Sequence, residues 1–260
     1  MTYRLAGLFA HPDDDAFGIS GTCALHADEL ELIVVFATSG DAGRIADVSL
    51  ATRETLGGVR EREARSAYRV LGVDADLRFL RYSDGHLADV PRDELVSRFA
   101  EAVEEFRPDV VVTFGPEGVT GHADHVTAGL AATEAFSIAR ERLGEAAPRR
   151  LLHQALPQGE LERLGAELRS RGLDPPDPNE PFQPRGVPDE TIGVRVDCAG
   201  VYKRKLAALR EHRTQAQDLE EFPQDLWPEV LSVETFVIAW PVRERRGPLL
   251  SDMFEALPPA

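Results

Sequence analysis

Cysteine, long apolar runs and excess positive charge are all scarce in this chain of 260 residues. Its two cysteines, Cys23 and Cys198, exclude a disulfide framework and a metal site built from several thiolates. No apolar stretch approaches the ~20 residues that a membrane-spanning helix requires. The opening segment, MTYRLAGLFAHPDDD, also lacks the long apolar segment and the cleavage site of a signal peptide. These absences predict a soluble protein of a reducing compartment, and we expect it in the cytoplasm.

Acidic side chains outnumber basic ones, with 45 Asp and Glu against 29 Lys and Arg and a formal net charge of −16. Such a surface repels the phosphates of nucleic acids and of anionic lipids, which argues against both as partners. Hydrophobic residues make up 43% of the chain, enough for one substantial core or at most two small ones. We expect a single domain over residues 1–260, and we leave open whether copies associate into a homo-oligomer.

Short apolar runs alternate with helix-like patterns over the first 143 residues. The strand candidates are residues 5–10, 32–37, 77–80 and 110–114, and the helix candidates are residues 59–72, 95–106 and 123–143. Over 95–106, for example, apolar side chains recur at the spacing of one helix face. This alternation predicts an α/β fold with a Rossmann-like, mostly parallel sheet and helices on both faces.

The last third of the chain has a different composition. Six of the 18 prolines fall in residues 172–190. Because proline lacks a backbone donor and fixes its own φ, this Pro-rich segment is expected to be an irregular loop or a mobile lid. The sequence further predicts a strand over 191–197, a helix over 201–217 that contains His212 as a packed residue, and a strand over 233–240. We expect this part to complete the sheet and to form one wall of a cleft.

Candidate catalytic residues follow two of the predicted strands. The first strand runs directly into HPDDD (11–15), and the fourth runs into GPEGVTGHADH (115–125). Ligands of an open parallel sheet bind beyond the carboxyl ends of its strands, so both segments fall where a site is expected. If the two strands are neighbours, His11, Asp14 and His125 can converge on one point. Two imidazoles and one carboxylate hold a divalent cation and leave positions open for catalysis.

At these residues the sequence resembles a known family. AHPDDD (10–15) matches the A-H-P-D-D-[ED] signature of the zinc-dependent deacetylases of the LmbE-like, or PIG-L, family, and GHADH (121–125) matches their second signature, G-H-x-D-H. Weaker similarities follow in the family's order: REREARSAYRVLG (60–72), RYSDGHL (81–87), KLAALREHRTQ (205–215) and VETF (233–236). The resemblance therefore runs from about residue 5 to about residue 240.

The resemblance implies an activity and a cofactor. It implies hydrolysis of the N-acetyl amide of an amino-sugar conjugate, an N-acetylglucosamine glycoside such as a precursor of a low-molecular-weight thiol. The cofactor it implies is Zn²⁺, with Fe²⁺ as an alternative, and the implied metal ligands are His11, Asp14 and His125. Asp13 would be the general base, and His122 would either stabilise the oxyanion or protonate the leaving amine.

Further residues take roles from the same resemblance. Asp124 would orient a ligand histidine, and Arg60 and Asp84 would bind the small-molecule substrate. Three positions depart from the family pattern near the site: Asp15 stands where most members have Glu, Thr120 stands where several sugar deacetylases have Tyr, and Ala123 replaces the usual Pro. A threonine does not reach as far as a phenol, so an oxyanion hole built on tyrosine is not expected here.

Other interpretations remain open from the sequence. The substrate could be another N-acyl amide, or the chain could be a sugar-binding module without catalysis. Two histidines and one carboxylate are also the ligand set of non-haem iron oxygenases. Acidic residues after the first strand could simply stabilise a helix N-terminus. Metal-dependent release of acetate separates the hydrolase from each of these.

Overall fold

A computed structural model describes residues 2–216, 222–242 and 247–259. Its strands are β1 (Tyr3–Phe9), β2 (Leu30–Thr38), β3 (Ala75–Tyr82), β4 (Val110–Phe114), β5 (Arg150–Gln154), β6 (Leu156–Pro157), β7 (Gly186–Val187), β8 (Ile192–Asp197) and β9 (Val233–Trp240). Seven of them form one sheet in the order β3-β2-β1-β4-β5-β9-β8. The first five strands of that order are parallel, and β9 runs antiparallel to both β5 and β8. Strands β6 and β7 form a separate parallel pair.

Nine α-helices lie in the described part of the chain. They are α1 (Asp14–Gly18), α2 (Ser20–Leu25), α3 (Leu56–Leu71), α4 (Arg92–Phe106), α5 (Gly118–Gly121), α6 (Ala123–Leu143), α7 (Gln158–Ser170), α8 (Tyr202–Leu209) and α9 (Trp227–Leu231). None of these helices combines the length and apolarity needed to cross a bilayer. The predicted α/β fold with a mostly parallel sheet is confirmed.

The chain changes direction across the sheet at β1. Strands β2 and β3 lie in order on one side of β1, whereas β4 and β5 lie on the other side. Because parallel crossovers are right-handed, this reversal places α2 and α3 on one face of the sheet and α4 and α6 on the other. The contacts agree: α3 and α2 both pack on α8, and α4 packs on α6. The boundary between β1 and β4 is therefore the topological switch point, where ligands bind in such sheets.

Strands β1 and β4 form because they are short apolar runs with both faces covered. From Leu5 onward, every β1 residue is buried, and all five residues of β4 are buried. Residues 5–7 of β1 pair in parallel with residues 110–112 of β4. The carboxyl ends of these strands therefore emerge side by side and place residues 11–15 against residues 115–125.

The C-terminal third differs from the expectation in several places. The helix predicted over 201–217 is too long: α8 ends at Leu209, a 3-10 turn follows at Arg213–Gln215, and Gln217 lies outside the described residues. In that turn the amide and hydroxyl of Thr214 donate to Glu63 at 2.9 and 2.6 Å and hold the chain against α3. Strand β5 and helix α7 were not predicted.

The Pro-rich segment is irregular, as expected, over residues 172–185. It is fastened to the rest of the fold through β7, which pairs with β6, and through the amide of Arg185, which donates to Val119 O at 2.7 Å. Val119 belongs to α5, whose last residue, Gly121, is the first residue of GHADH. The segment therefore lies against the loop that follows β4.

Two of the weaker sequence motifs meet as one buried ion pair. The Nζ of Lys205, in α8, lies 2.7 Å from Oε1 of Glu234, in β9, and both side chains are 1% exposed. The carboxylate of Glu234 also accepts hydrogen bonds from the amides of Gly21 and Thr22 and from the Thr22 hydroxyl. This pair ties α2, α8 and β9 together, so these motif residues stabilise the fold beside the switch point.

Candidate metal centre

His11, Asp14 and His125 bring three ligand-type groups together at the switch point. His11 Nδ1 lies 3.2 Å from His125 Nε2 and 3.6 Å from Asp14 Oδ2. His125 Nε2 lies 3.2 Å from Asp14 Oδ1. His11 follows β1, Asp14 begins α1, and His125 lies in the first turn of α6. Two separate segments of the chain therefore supply one compact set of two nitrogens and a carboxylate.

Hydrogen bonds at the outer ring nitrogens determine which atoms face inward. His125 Nδ1 lies 3.0 Å from Gly118 O, which only accepts, so Nδ1 carries the proton and Nε2 has a free lone pair. His11 Nε2 lies 3.0 Å from Asp84 Oδ1 and 3.3 Å from Asp124 Oδ2, so in the neutral ring Nδ1 has the lone pair. Two lone pairs and the Asp14 carboxylate then face one another. Such a donor set fits a cation such as zinc, with outer partners that orient the imidazoles.

The surrounding carboxylates make this point strongly anionic. Burial alone would raise the pKa of Asp84, but the hydrogen bond and charge of His11 outweigh burial and hold that pKa at about 2. Asp124 is fully buried, and the amides of Gly85 and Leu87 donate to it at 2.7 and 3.1 Å. Those bonds and His11 outweigh burial and lower the Asp124 pKa. Both carboxylates stay charged, which further favours a cation.

Asp13 lies beside this set and is held by an arginine. Arg60, in α3, is 3% exposed, and its Nη2 lies 3.0 Å from Asp13 Oδ2. Its Nη1 donates to Gly40 O at 3.0 Å, and a Cβ at residue 40 would overlap the guanidinium, so the glycine is required there. The ion pair that the structure shows for Arg60 is thus with the candidate base. The substrate-binding roles expected of Arg60 and Asp84 stay predictions.

His122 caps the N-terminus of α6 and lies next to both candidate ligand histidines. Its Nδ1 accepts the amide of Asp124 at 3.1 Å, which leaves the proton of the neutral ring on Nε2. Its ring centroid lies 4.8 Å from that of His11 and 5.0 Å from that of His125. Burial, together with the charges of His11 and His125, lowers the pKa of His122. A neutral His122 is therefore a hydrogen-bond donor beside the candidate metal position.

The loop that carries these histidines is conformationally strained. Gly118, Val119 and Gly121 have φ values of +67°, +61° and +70°. A left-handed backbone is uncommon for a β-branched residue such as Val119, and strain of this kind concentrates at functional sites. The strained turn directs the carbonyl of Gly118 toward His125 and thereby orients its ring.

The structure gives a local reason for one departure from the family pattern. Asp15 is 2% exposed, and the hydroxyl of Tyr68 donates to its Oδ2 at 2.6 Å. Its Oδ1 has no hydrogen-bond partner among the described residues. Burial raises the pKa of Asp15 to about 7. The shorter side chain thus packs beneath the site and contacts a tyrosine of α3.

Two residues near the site were missed or interpreted differently from the sequence. His212 lies outside α8, is 3% exposed, and faces Asp13 and Arg60 closely enough for their charges to act on it. Burial lowers its pKa to about 4. The ring of Phe182, in the Pro-rich segment, lies 4.8 Å from that of His122 although the residue is 63% exposed. The sequence singled out the Pro-rich segment but gave no signal for this particular contact.

Comparisons with known proteins identify the family that the chain resembles. The sequence model of the family described as "PIG-L: GlcNAc-PI de-N-acetylase" matches residues 7–136. A 1D-myo-inositol 2-acetamido-2-deoxy-alpha-D-glucopyranoside deacetylase from Salinispora arenicola is 32% identical and covers 91% of this chain and 84% of its own. A relative of the same name from Geodermatophilus obscurus is 34% identical and covers 98% of both chains.

A solved structure shows the same fold. The N,N'-diacetylchitobiose deacetylase from Pyrococcus horikoshii superposes with a TM-score of 0.59 at 24% identity, covering 90% of this chain and 83% of that one. At this identity the likeness concerns the fold alone.

Proposed function

The chain belongs to the PIG-L family of de-N-acetylases, and from this membership we propose that it is a zinc-dependent hydrolase acting on an N-acetylglucosamine glycoside. The products are acetate and the free amine, and a precursor of a low-molecular-weight thiol is the substrate type we propose. The observation that carries the proposal is the set of inward lone pairs of His11 and His125 facing the Asp14 carboxylate.

His11, Asp14 and His125 would hold the metal ion. A bound zinc ion supplies Lewis acidity toward the amide carbonyl and lowers the pKa of water to roughly 7. With one carboxylate among three protein ligands, the net charge at the ion stays near +1, which preserves that acidity. Asp84, Asp124 and Gly118 O hold the outer protons of the two imidazoles and so keep the inner lone pairs available.

Asp13 is proposed as the general base. Its carboxylate is next in sequence to the ligand Asp14 and is held by Arg60 at 3.0 Å. A fixed carboxylate at this position can accept the proton of the attacking water at Oδ1 while Oδ2 remains bonded to the guanidinium. We therefore assign Arg60 a positioning role through Asp13, and general-base catalysis of this kind contributes roughly 10²–10⁴ in rate.

His122 is proposed to act on the other side of the amide. Its Nε2–H is available because Nδ1 accepts the Asp124 amide. It can donate to the carbonyl oxygen as negative charge develops there, a form of stabilisation that one donor supplies at ~10²–10³ in kcat. Protonated Asp13 can pass the proton taken from water to the leaving amine, so the proton count closes on one residue. His122 could protonate the amine only as an imidazolium, and the proton left on Asp13 would then have to return to His122 before the next turnover.

The test is acetate release at defined metal content. Methyl 2-acetamido-2-deoxyglucoside and the corresponding inositol glycoside are incubated with the purified chain, with the metal-depleted chain, and with that chain after zinc is restored. We expect activity to disappear on depletion and to return with zinc, and the His125→Ala variant to retain neither stoichiometric zinc nor activity. Full activity of metal-free protein would overturn the zinc proposal, and no acetate from any such glycoside would overturn the substrate class.

A further inference from the structure

A cavity of about 370 Å³ lies between α3 and β3, the strand at one edge of the sheet. Its lining comes from the middle and end of α3, the loop that follows, and the start of β3. Because β1, β2 and β3 are parallel, the start of β3 lies at the end of the sheet opposite the strand end that carries HPDDD. None of the described residues that line this cavity is a candidate metal ligand or base. It is therefore separate from the metal centre, and we call it the arginine groove after Arg62, Arg65 and Arg69.

The three arginines lie on one face of α3. Helix residues three and seven apart face the same way, and these three positions span about 10 Å along the axis. Among the described residues, Arg62 and Arg69 form no ion pair, and Arg69 donates only to the hydroxyl of a serine. Arg65 lies 3.8 Å from Glu61, a carboxylate that Arg81 already holds at 2.8 Å. In a chain of net charge −16, the groove is thus a concentration of positive charge that the chain leaves largely unneutralised, and such a surface attracts anions.

The opposite face of β3 has a balanced arrangement. Successive side chains of a strand point to opposite faces of the sheet, so Arg78 faces away from Leu77, which lines the groove. Arg78 Nη1 lies 2.6 Å from Glu105 Oε2, and its Nη2 lies 2.7 Å from Asp76 Oδ2. The chain therefore neutralises the arginine on that face with its own carboxylates. The arginines of the groove are instead left available for an anion from outside the chain.

The deeper part of the groove is mainly apolar. Tyr68, which is buried, and Leu77, which is half-buried, lie there, and Asp74 is the one acidic side chain among the described lining residues. The guanidinium of Arg65 lies 4.8 Å from the ring centroid of Phe79, so an aromatic surface supports its plane. Because β3 has no further strand beside it in the described part of the chain, outward amides of its backbone add donors at this edge. The groove therefore presents several donors above an apolar surface.

We propose that the arginine groove binds an organic diphosphate, a small ligand with two linked phosphate groups and an apolar ring. Guanidinium groups match phosphate oxygens in charge and geometry, and three of them along about 10 Å of helix offer more contacts than a single phosphate can use. A volume of about 370 Å³ is within the range of sites for small organic ligands, so a ring can lie on Tyr68 and Leu77. This second site does not depend on the proposed function.

The first experiment is isothermal titration calorimetry of the zinc-loaded chain with adenosine diphosphate as the probe. Pyrophosphate, which lacks the ring, and adenosine, which lacks the phosphates, are titrated in parallel. We expect one adenosine diphosphate to bind per chain, and each partial ligand to bind about tenfold more weakly or worse because it uses only half of the groove. Affinity for the diphosphates should also fall at high ionic strength, since the contacts lie near the surface.

A matched pair of double variants tests the location. Arg62→Gln/Arg69→Gln removes two of the three groove charges. Arg98→Gln/Arg163→Gln makes the same change in net charge at two exposed arginines that do not line the groove. We expect the first double variant to weaken adenosine diphosphate binding about tenfold, since two charge-assisted contacts are lost, and the second to leave it nearly unchanged. His125→Ala, which alters the metal centre, should keep the wild-type affinity for adenosine diphosphate.

Four outcomes overturn the inference. Absence of binding removes the site, and equal weakening by the two double variants means that diffuse surface charge attracts the probe. Binding that is lost in His125→Ala but kept in Arg62→Gln/Arg69→Gln places the probe at the metal centre. Pyrophosphate that binds as tightly as adenosine diphosphate means that the apolar surface takes no ring. Each of these results leaves the proposed hydrolase function standing, because none of them measures acetate release.

Discussion

The region from β1 to α6 and the region from β5 onward both bury charged side chains, but they balance that charge differently. Around the switch point, Asp14, Asp84 and Asp124 converge on His11, and among the described residues no Lys or Arg forms an ion pair with any of these three carboxylates. In the C-terminal region, Lys205 neutralises Glu234 directly. The first arrangement carries an excess of carboxylates that a bound cation would neutralise, and the second is complete as it stands.

This difference indicates that the reactive side chains come from the first region and that the second region mainly supplies structural contacts. The switch point gathers carboxylates and imidazoles because two strand ends meet there. The C-terminal region instead contributes buried anchors, such as Thr214 on Glu63, and most of the lining of a largely apolar cavity of about 410 Å³ between the Pro-rich segment, α7 and α9. Substitutions in the first region should therefore change turnover, and those in the second should change stability or substrate preference.

The largest expected effect is at the candidate metal centre. We expect Asp13→Asn to lower kcat by about 10²–10⁴ because the amide cannot take up the proton, whereas zinc content stays stoichiometric. Acetate release and metal analysis on the same sample measure this. Asp14→Asn serves as the contrast, since it should lose metal as well. Normal turnover by Asp13→Asn would remove the base assignment, and with it the division between the two regions.

The second effect tests the balanced pair. Lys205→Met leaves Glu234 buried and charged without a partner, and we expect the free energy of unfolding to fall by about 3–5 kcal/mol. The double variant Lys205→Met/Glu234→Gln should recover part of that loss because no uncompensated charge remains. Urea denaturation of both variants gives the values. If Lys205→Met instead kept its stability and lost its zinc, Lys205 would belong to the reaction centre.

Sequence patterns predicted the parts of the fold in which local and tertiary preferences agree. The bounds of β4, α6 and β9 matched the structure, because an apolar run or a long helical period needs little help from neighbours. Strand β5 was missed because RLLHQ has only two consecutive apolar residues. Its strand conformation comes from pairing with β4 and β9 on either side.

Within the site, the sequence could predict that the two signature segments lie close together. This prediction requires only that β1 and β4 be neighbours. The contact of Arg60 with Asp13 could not be read from spacing, because α3 is separate in sequence from both signatures. His212 was interpreted as a packed helix residue, and its true surroundings depend on the turn that Thr214 imposes by bonding Glu63. Such contacts are tertiary and leave no local pattern.

The third effect lies at the contact between the two regions. A methyl group at Gly121 would overlap the guanidinium of Arg185 and would also be strained at φ +70°. We expect Gly121→Ala to displace the Pro-rich segment and to raise KM several-fold with little change in kcat, at a stability cost of about 1–2 kcal/mol. Gly172→Ala is the control, since its φ is +74° with nothing within 4 Å of the added carbon. Equal KM values for the two variants would show that Arg185 does not connect the regions.

The smallest effect is a pH dependence far from the site. His26 Nε2 lies 2.6 Å from Asp252 Oδ2, and this bond raises the pKa of His26. Because the folded pKa is higher than the unfolded value of about 6.5, the contribution is complete below pH 6.5 and is lost as the pH rises through the folded pKa. Both groups are partly exposed, so about 1 kcal/mol is the upper expectation at pH 6.

The variant that isolates this charge effect is His26→Phe. It keeps a ring against Phe254, whose centroid lies 5.2 Å from that of His26, and removes only the titratable contact. Thermal unfolding should show a larger deficit from wild type at pH 6 than at pH 8.5, with acetate release unchanged at both. His86→Phe, at a more exposed histidine, is the control. A deficit that grows with rising pH would reverse the sign of the linkage, and it would mean that the C-terminal region does not hold a balanced pair at this position.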